Sequence, residues 1–556
     1  MSLDQRCIRR RMLHRWIGVT LVGSAIFGNV SFADTGDFDG FLTAASAFQA
    51  EAPTGIGTGS AVPNVNETPN VDGFVPDAVE SVPAGMIENA EEDADADEAT
   101  DIEKLSEKLA ALQEDWDEYQ GELKAEAAAK KKKSNYKLGG RVHIDQWTFS
   151  ESDEGINVIE NEDPDFSPEN RWLFRRIRLE LAGEVPQNML YRIQVDFNNP
   201  ASAEIKDAYL GWTNLPNNQT LILGHQKRPL GLDHLNSSRY NVFTERPLAV
   251  EAFNEDARRF GLCMYGHNDD ESVGWAYGIY NLENISTDGR FIGDSYQMGG
   301  YSRLWSSPWY DETSGGRGYL HLAIAGAVAK PDGDVGDDET NSNEGRFRTR
   351  PLARSDQRWL NTTRIPGADW YQHIAFESIL NLGSLQITGE YIMTPLQREA
   401  TPGAAIPADP DDLPGYAFDA NLSRNMFFHG GYIYASYFLT GEHMPYQRSS
   451  GTLDRVKPHE NFFLVDRMRG GRGLGWGAWQ VAARYDFLDL TDGGVNGGVG
   501  HMFTAGLNWH WTPYSKVQNN LVYGSIDDSG LANLTGGTAV DAGDFLIFGS
   551  RFMIDF

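Results

Sequence analysis

Long apolar runs are missing from most of this chain. After residue 35 no stretch approaches the roughly 20 apolar residues that a transmembrane helix requires, so a bundle of membrane helices is excluded. A membrane β-barrel is not excluded, because its strands are only half apolar. Cysteine is nearly absent. Cys7 lies in a segment expected to be removed, which leaves Cys263 alone, so neither an intrachain disulfide nor a cysteine metal cluster is available. Positive charge is in deficit: 47 Lys and Arg stand against 79 Asp and Glu, a net charge of -32. The acid is spread, with +4 over residues 1–33, -17 over 34–135 and -19 over 136–556. Nucleic acid is therefore not an expected partner. Catalytic signatures are missing as well. There is no H-E-x-x-H, no G-x-S-x-G and no phosphate-cradling G-x-x-x-x-G-K-[ST]. The acidic run Asp332, Asp334, Asp337, Asp338 and Glu339 lacks the spacing of an EF-hand and reads as a solvated loop. No cofactor, metal or catalytic residue is expected, and the chain reads as a non-enzyme.

What is present changes character along the chain. Residues 1–33 read as a secretory signal peptide: Arg6, Arg9, Arg10, Arg11 and Arg15 precede an apolar run from Trp16 to Phe32, and cleavage is expected near Ala33. Residues 34–100 are Ala, Gly, Pro, Val and acid without periodicity, a disordered spacer. Over residues 101–133 the apolar positions Ile102, Leu105, Leu109, Leu112, Trp116, Tyr119 and Leu123 recur at alternating intervals of three and four. That heptad predicts a short periplasmic α-helical coiled coil, and hence an oligomer.

From residue 137 to 556 the period becomes two. Tyr191, Ile193, Val195 and Phe197 alternate with Arg192, Gln194 and Asp196; Phe548, Phe552 and Ile554 alternate with Gly549, Arg551 and Asp555. One face is apolar and aromatic while the other carries charge, which a barrel with lipid outside and water inside explains. Short turns at 215–218, 267–271, 381–384 and 512–515 alternate with long polar loops at 151–169, 282–294, 330–369, 395–424, 491–500 and 526–544. The pattern predicts an all-β fold, an antiparallel transmembrane barrel of about 16 strands in the outer membrane, with the N-terminal region in the periplasm. Two features do not fit. By this count residues 441–472 form a long connection on the short-turn side, and strict alternation points Arg175 at lipid, a cost of about 2–4 kcal/mol at the bilayer midplane.

Several segments resemble the phosphate-selective porin O and P family. They are Phe174–Leu179, Asp207-Ala208-Tyr209, Gly224–Gly231, Phe243-Thr244-Glu245-Arg246, Arg258–Gly261, Tyr437–Glu442, Ala483-Arg484-Tyr485, Gly506–Trp509 and the terminal Phe556. The resemblance implies a 16-stranded trimeric porin whose third long loop folds into the lumen. It also implies passive flow of small solutes, with a preference for phosphate in some members. Outer-membrane lipid, a homotrimer, and small hydrophilic solutes or anions are the partners expected.

The stretch Leu221–Gly261 is then the expected constriction, with neighbouring strands supplying further cations. The candidate pathway residues are Arg141, Arg176, Arg178, Arg192, Lys227, Arg228, Ser237, Ser238, Arg239, Arg246, Arg258 and Arg259. Rings of Arg or Lys favour anions, and guanidinium binds phosphate oxygens in pairs. Asp233, Glu245, Glu251, Glu255 and Asp256 are mixed among them, so the loop reads as a screened, mixed-charge eyelet more than as a phosphate trap. Two other readings stay open: a barrel acting mainly as an anchor for a periplasmic tether, and an outer-membrane hydrolase built from distant side chains.

Overall fold

The computed structural model describes residues 108–113, 115–116, 134–186, 188–199, 201–255, 257–283, 297–331, 345–399, 422–463, 465–466, 471–530 and 542–556. The signal segment, the acidic spacer, the run 332–339 and most of the heptad stretch lie outside the described residues. Residues 108–113 and 115–116 are helical, and Leu109, Leu112 and Trp116 are exposed on them. Among the described residues, no helix is long and apolar enough to cross a membrane.

Sixteen antiparallel strands close into one barrel. They are β1 (Asn135–Ser152), β2 (Arg171–Val185), β3 (Met189–Asn199), β4 (Ser202–Leu215), β5 (Gln219–Lys227), β6 (Arg258–His267), β7 (Val273–Asn281) and β8 (Met298–Tyr310). Then follow β9 (Gly318–Lys330), β10 (Ala368–Leu382), β11 (Leu385–Arg398), β12 (Asn425–Phe438), β13 (Ala478–Asp492), β14 (Val495–Thr512), β15 (Ser515–Ser529) and β16 (Gly543–Asp555). Each strand pairs with its sequence neighbours, and β1 closes the ring on β16, with Arg141 opposite Asp555. Closure leaves no open edge, which is the condition for a sheet to sit in lipid.

The two-residue period sorts the faces. Along β3, Leu190, Arg192, Gln194 and Asp196 are buried, while Ile193 and Phe197 are exposed to the outside. Ile279, Ile433, Leu521 and Phe552 on other strands form the same outward apolar surface. The inward polar side chains are buried because chain connections occupy much of the ring.

Those connections depart from the expected rhythm in three places. The loop expected at 491–500 is mostly strand, broken by a tight turn at Gly493 and Gly494, both with positive φ. The β3–β4 connection on the same side is equally short. The β12–β13 connection, residues 439–477, does lie on the short-turn side. So the misfit in the sequence is a long excursion and no slip in strand count.

Arg175 is the other misfit, and a β-bulge resolves it. In the β1–β2 ladder His143 faces Arg176 and Ile144 faces Phe174, so Arg175 is the extra residue. A bulge re-aims a side chain without breaking the sheet. Arg175 turns inward and pairs with Glu245 through two bonds of 2.8 and 3.0 Å. A second bulge lies in β4: Gln194 faces Asp207 and Val195 faces Ile205, leaving Lys206 as the extra residue. Lys206 and Asp207 are consequently both buried. Each irregularity brings one additional cation to the inner face.

Candidate functional site

The connection between β5 and β6 runs across the barrel. It contains two short helices, α1 (Leu232–Leu235) and α2 (Leu248–Phe253). Its backbone is bonded to the opposite half of the ring. Asn520 on β15 accepts from the Thr244 N–H at 2.8 Å, Lys516 donates to the Asn241 carbonyl at 2.7 Å, and Asn508 on β14 donates to the Val242 carbonyl at 2.8 Å. The Glu390 carboxylate of β11 accepts the N–H groups of Leu232 and Asp233 at 2.7 and 2.8 Å. Two wall glycines make room. A Cβ on Gly506 would lie 3.2 Å from the Phe243 ring, and one on Gly430 would lie 2.9 Å from the Ala249 side chain. Buried backbone groups need such partners, so this loop is held by the wall and not left to fluctuate.

A second connection, residues 345–367 between β9 and β10, meets the first. Arg348 and Arg358 both reach Glu255, at 3.1 and 2.6 Å. Burial alone would raise the Glu255 carboxyl, but Arg358, Arg348 and Arg346 hold it down at about 2. Phe347 packs edge-on against Phe253 of α2, with ring centres 5.5 Å apart.

The β12–β13 excursion enters from the other end. Tyr446 stacks on Tyr319 at 4.8 Å, Trp305 donates to the Arg448 carbonyl, and Arg303 donates to the carbonyls of Ser450 and Gly451 while paired with Glu377. The tip reaches the first loop: the Leu453 N–H donates to the Asn236 side chain at 2.9 Å. Connections from both ends of the barrel thus meet inside it.

Between β1–β6 and these loops lies a cavity of about 350 Å³. Twelve cationic side chains line it against four carboxylates, Asp196, Glu204, Glu251 and Glu255. Of the residues expected from sequence, Arg141, Arg176, Arg178, Arg192, Lys227, Ser237, Ser238, Arg246 and Arg258 reach this cavity. Three do not. Arg228 donates to the Tyr301 hydroxyl, Arg259 to the Leu282 carbonyl, and Arg239 pairs with Asp555 beside a second, far smaller cavity. Arg175, Lys206, Arg348, Arg354 and Arg358 also line the large cavity and were not among the candidates. The signal for the last three was present: six arginines, Arg346, Arg348, Arg350, Arg354, Arg358 and Arg364, fall within one polar loop.

Most of the cations are already paired. Arg178 bonds Asp196 at 2.6 Å, Arg258 bonds Asp207 at 2.6 Å, and Arg192 bonds Glu180 at 2.8 Å. Arg141 donates to the Ser238 hydroxyl at 2.8 Å and lies 3.9 Å from Glu180. Arg176 and Arg354 differ. Among the described residues neither has a carboxylate within 4.0 Å; Arg176 meets only the His143 ring, at 3.3 Å. The loop cations also crowd one another. Burial and the neighbouring Arg358 and Arg354 lower Arg350 to about 9, and burial with Arg175 lowers Arg354 to about 10. Burial is the larger cause in both, and repulsion among the fixed positive charges adds to it; an anion in the cavity would offset that second part.

The family model for phosphate-selective porin O and P matches residues 137–556. The chain belongs to that family. The porin domain thus coincides with the barrel, from the first strand to the last residue. An uncharacterised protein of Caulobacter vibrioides is 28% identical over 391 residues, which cover 69% of this porin and 68% of that protein. Solved outer-membrane proteins are more distant. The outer membrane channel DcaP of Acinetobacter baumannii is 12% identical, with 76% of this porin and 97% of that chain covered at a TM-score of 0.42. OprB of Pseudomonas putida is 10% identical, with 80% and 97% covered at 0.40.

Proposed function

We propose that this porin lets small hydrophilic solutes diffuse passively across the outer membrane, with anions such as phosphate preferred. In this reading the β5–β6 loop and residues 345–367 narrow the lumen, and the solute passes along the cavity between them and β1–β6. No catalytic step is involved. The observation that carries the reading is the pair Arg176 and Arg354, two guanidiniums without a carboxylate partner among the described residues, in a cavity where cations outnumber acids. The paired arginines hold loop against wall, and the unpaired ones are left to meet the solute. A pore site must bind an ion strongly enough to admit it and weakly enough to release it. Neighbouring carboxylates such as Asp196 and Glu255 moderate a cluster that would otherwise trap phosphate.

The reading extends to assembly. The signal segment directs export, and the acidic spacer and heptad helix lie in the periplasm. An oligomer is favoured by the exposed Leu109, Leu112 and Trp116, an apolar stripe that a helical partner would cover, and its three-fold order is taken from the family. The meeting of Leu453 with Asn236 inside the barrel favours a competing reading, a closed barrel serving as an anchor. Planar bilayers separate the two. The purified full chain is expected to give discrete conductance steps in KCl that shrink as phosphate is added; a preparation that inserts but never conducts would leave only the anchor.

A further inference from the structure

The β12–β13 excursion has a second arm that the pathway does not use. Its inner arm, around Tyr446–Leu453, lies inside the barrel. Its outer arm, described at residues 462–463, 465–466 and 471–476, lies on the opposite side of the wall. Trp509 and Trp511 alternate along β14 with Asn508 and His510, and Asn508 bonds the loop inside, so the tryptophans face outward. The Phe462 ring sits edge-on to Trp509 at 4.5 Å. The Phe462 N–H donates to the Trp511 carbonyl at 2.6 Å. That bond lies just past the last β13–β14 pair, Ala478 with His510. The Trp509 indole donates to the Trp476 carbonyl at 2.8 Å, so both ends of the arm are tied to the outward face.

The arm presents bulky apolar side chains to the surroundings. Phe463 is 55% exposed, Leu474 68% and Trp476 77%. This patch continues the outward aromatic surface of β13 and β14, where Trp479 stacks on Trp509 at 4.8 Å. It also lies beside the tight turn between β14 and β15, at the short-turn end of the barrel. Short turns mark the periplasmic side, and Trp rings settle where one edge is apolar and the other wet.

We propose that the outer arm is a lipid anchor seated in the headgroup layer of the periplasmic leaflet, with phospholipid as its occupant. The one connection then grips the barrel rim from both sides. Its inner arm fills the lumen, and its outer arm is held by lipid.

The test uses the full chain in vesicles of phosphatidylcholine and phosphatidylglycerol. In a C7S background with Cys263 buried, W476C carries a nitroxide, and its collision rates with oxygen and with a water-soluble nickel chelate are compared with those of D270C on a solvated turn of the same side. The anchor predicts nickel collisions lower by about threefold or more at 476, with oxygen collisions raised, as befits an interfacial depth. Water-like values matching D270C would overturn it. So would a label shut off from both reagents and broadened by a second label, which would mean that another copy covers the arm. L474C provides the same reading should W476C fail to assemble.

Discussion

Replacing Arg176 and Arg354 together by alanine is expected to abolish most of the anion preference while leaving the barrel intact. The reason is bookkeeping of charge. Arg178, Arg192, Arg258, Arg348 and Arg358 already face carboxylates, so their removal would chiefly loosen loop and wall. Arg176 and Arg354 line the cavity with no such partner among the described residues, and Glu245 acts on both only from beyond ion-pair distance. At an effective dielectric of about 20, a guanidinium about 6 Å from an anion contributes roughly 2–3 kcal/mol, and salt reduces this. With about 1.4 kcal/mol per factor of ten, the double variant should lose at least about tenfold in anion-to-cation permeability ratio. Arg228→Ala is the control, because Arg228 bonds Tyr301 away from the cavity and its loss should leave the ratio unchanged. A double variant as selective as the parent would show that the unpaired arginines do not touch the permeating ion.

Glu245→Gln should unmoor the loop that crosses the barrel. Glu245 sits between two guanidiniums: Arg175 at 2.8 Å, and Arg551 at 2.7 Å. Burial acts to raise its carboxyl, but Arg175 and Arg551 hold it well below the usual carboxylate range. Its folded value is therefore depressed below its unfolded one. The stabilisation it contributes is complete above the unfolded value of about 4.3 and is lost as pH falls toward the folded value. Taking one partner from a buried pair costs about 3–5 kcal/mol, since the remaining charges stay buried. The variant should unfold at lower temperature at pH 7, by heat-modified mobility on gels. It should also lose part of the parent's decline in stability between neutral and acid pH. An unchanged transition with the same acid profile would remove Glu245 from the account.

The barrel was legible because alternation is a local signal. Ile193 and Phe197 outside, and Arg192 and Asp196 inside, follow from the two-residue period of a strand alone. The position of Arg175 was not legible, because a bulge shifts the register by one residue and leaves no mark in composition; the only trace was a charge on the wrong face. Lys206 is hidden in the sequence for the same reason. The arginines of residues 345–367 were visible as a cluster, yet nothing local says that two loops more than ninety residues apart share Glu255. Asp233 and Glu245 stand behind the lining, paired with Arg246 and Arg175, a placement that composition of the loop does not reveal.

In the proposed pore a positive pathway runs through an acidic protein. The reversal potential of the wild-type pore across a KCl gradient in a planar bilayer reports which ion carries the current. A sign showing chloride as the carrier, shifting further when phosphate is placed on one side, is the predicted result. A sign showing potassium as the carrier would mean that the surface acid of the chain, and not the arginine-lined cavity, governs passage.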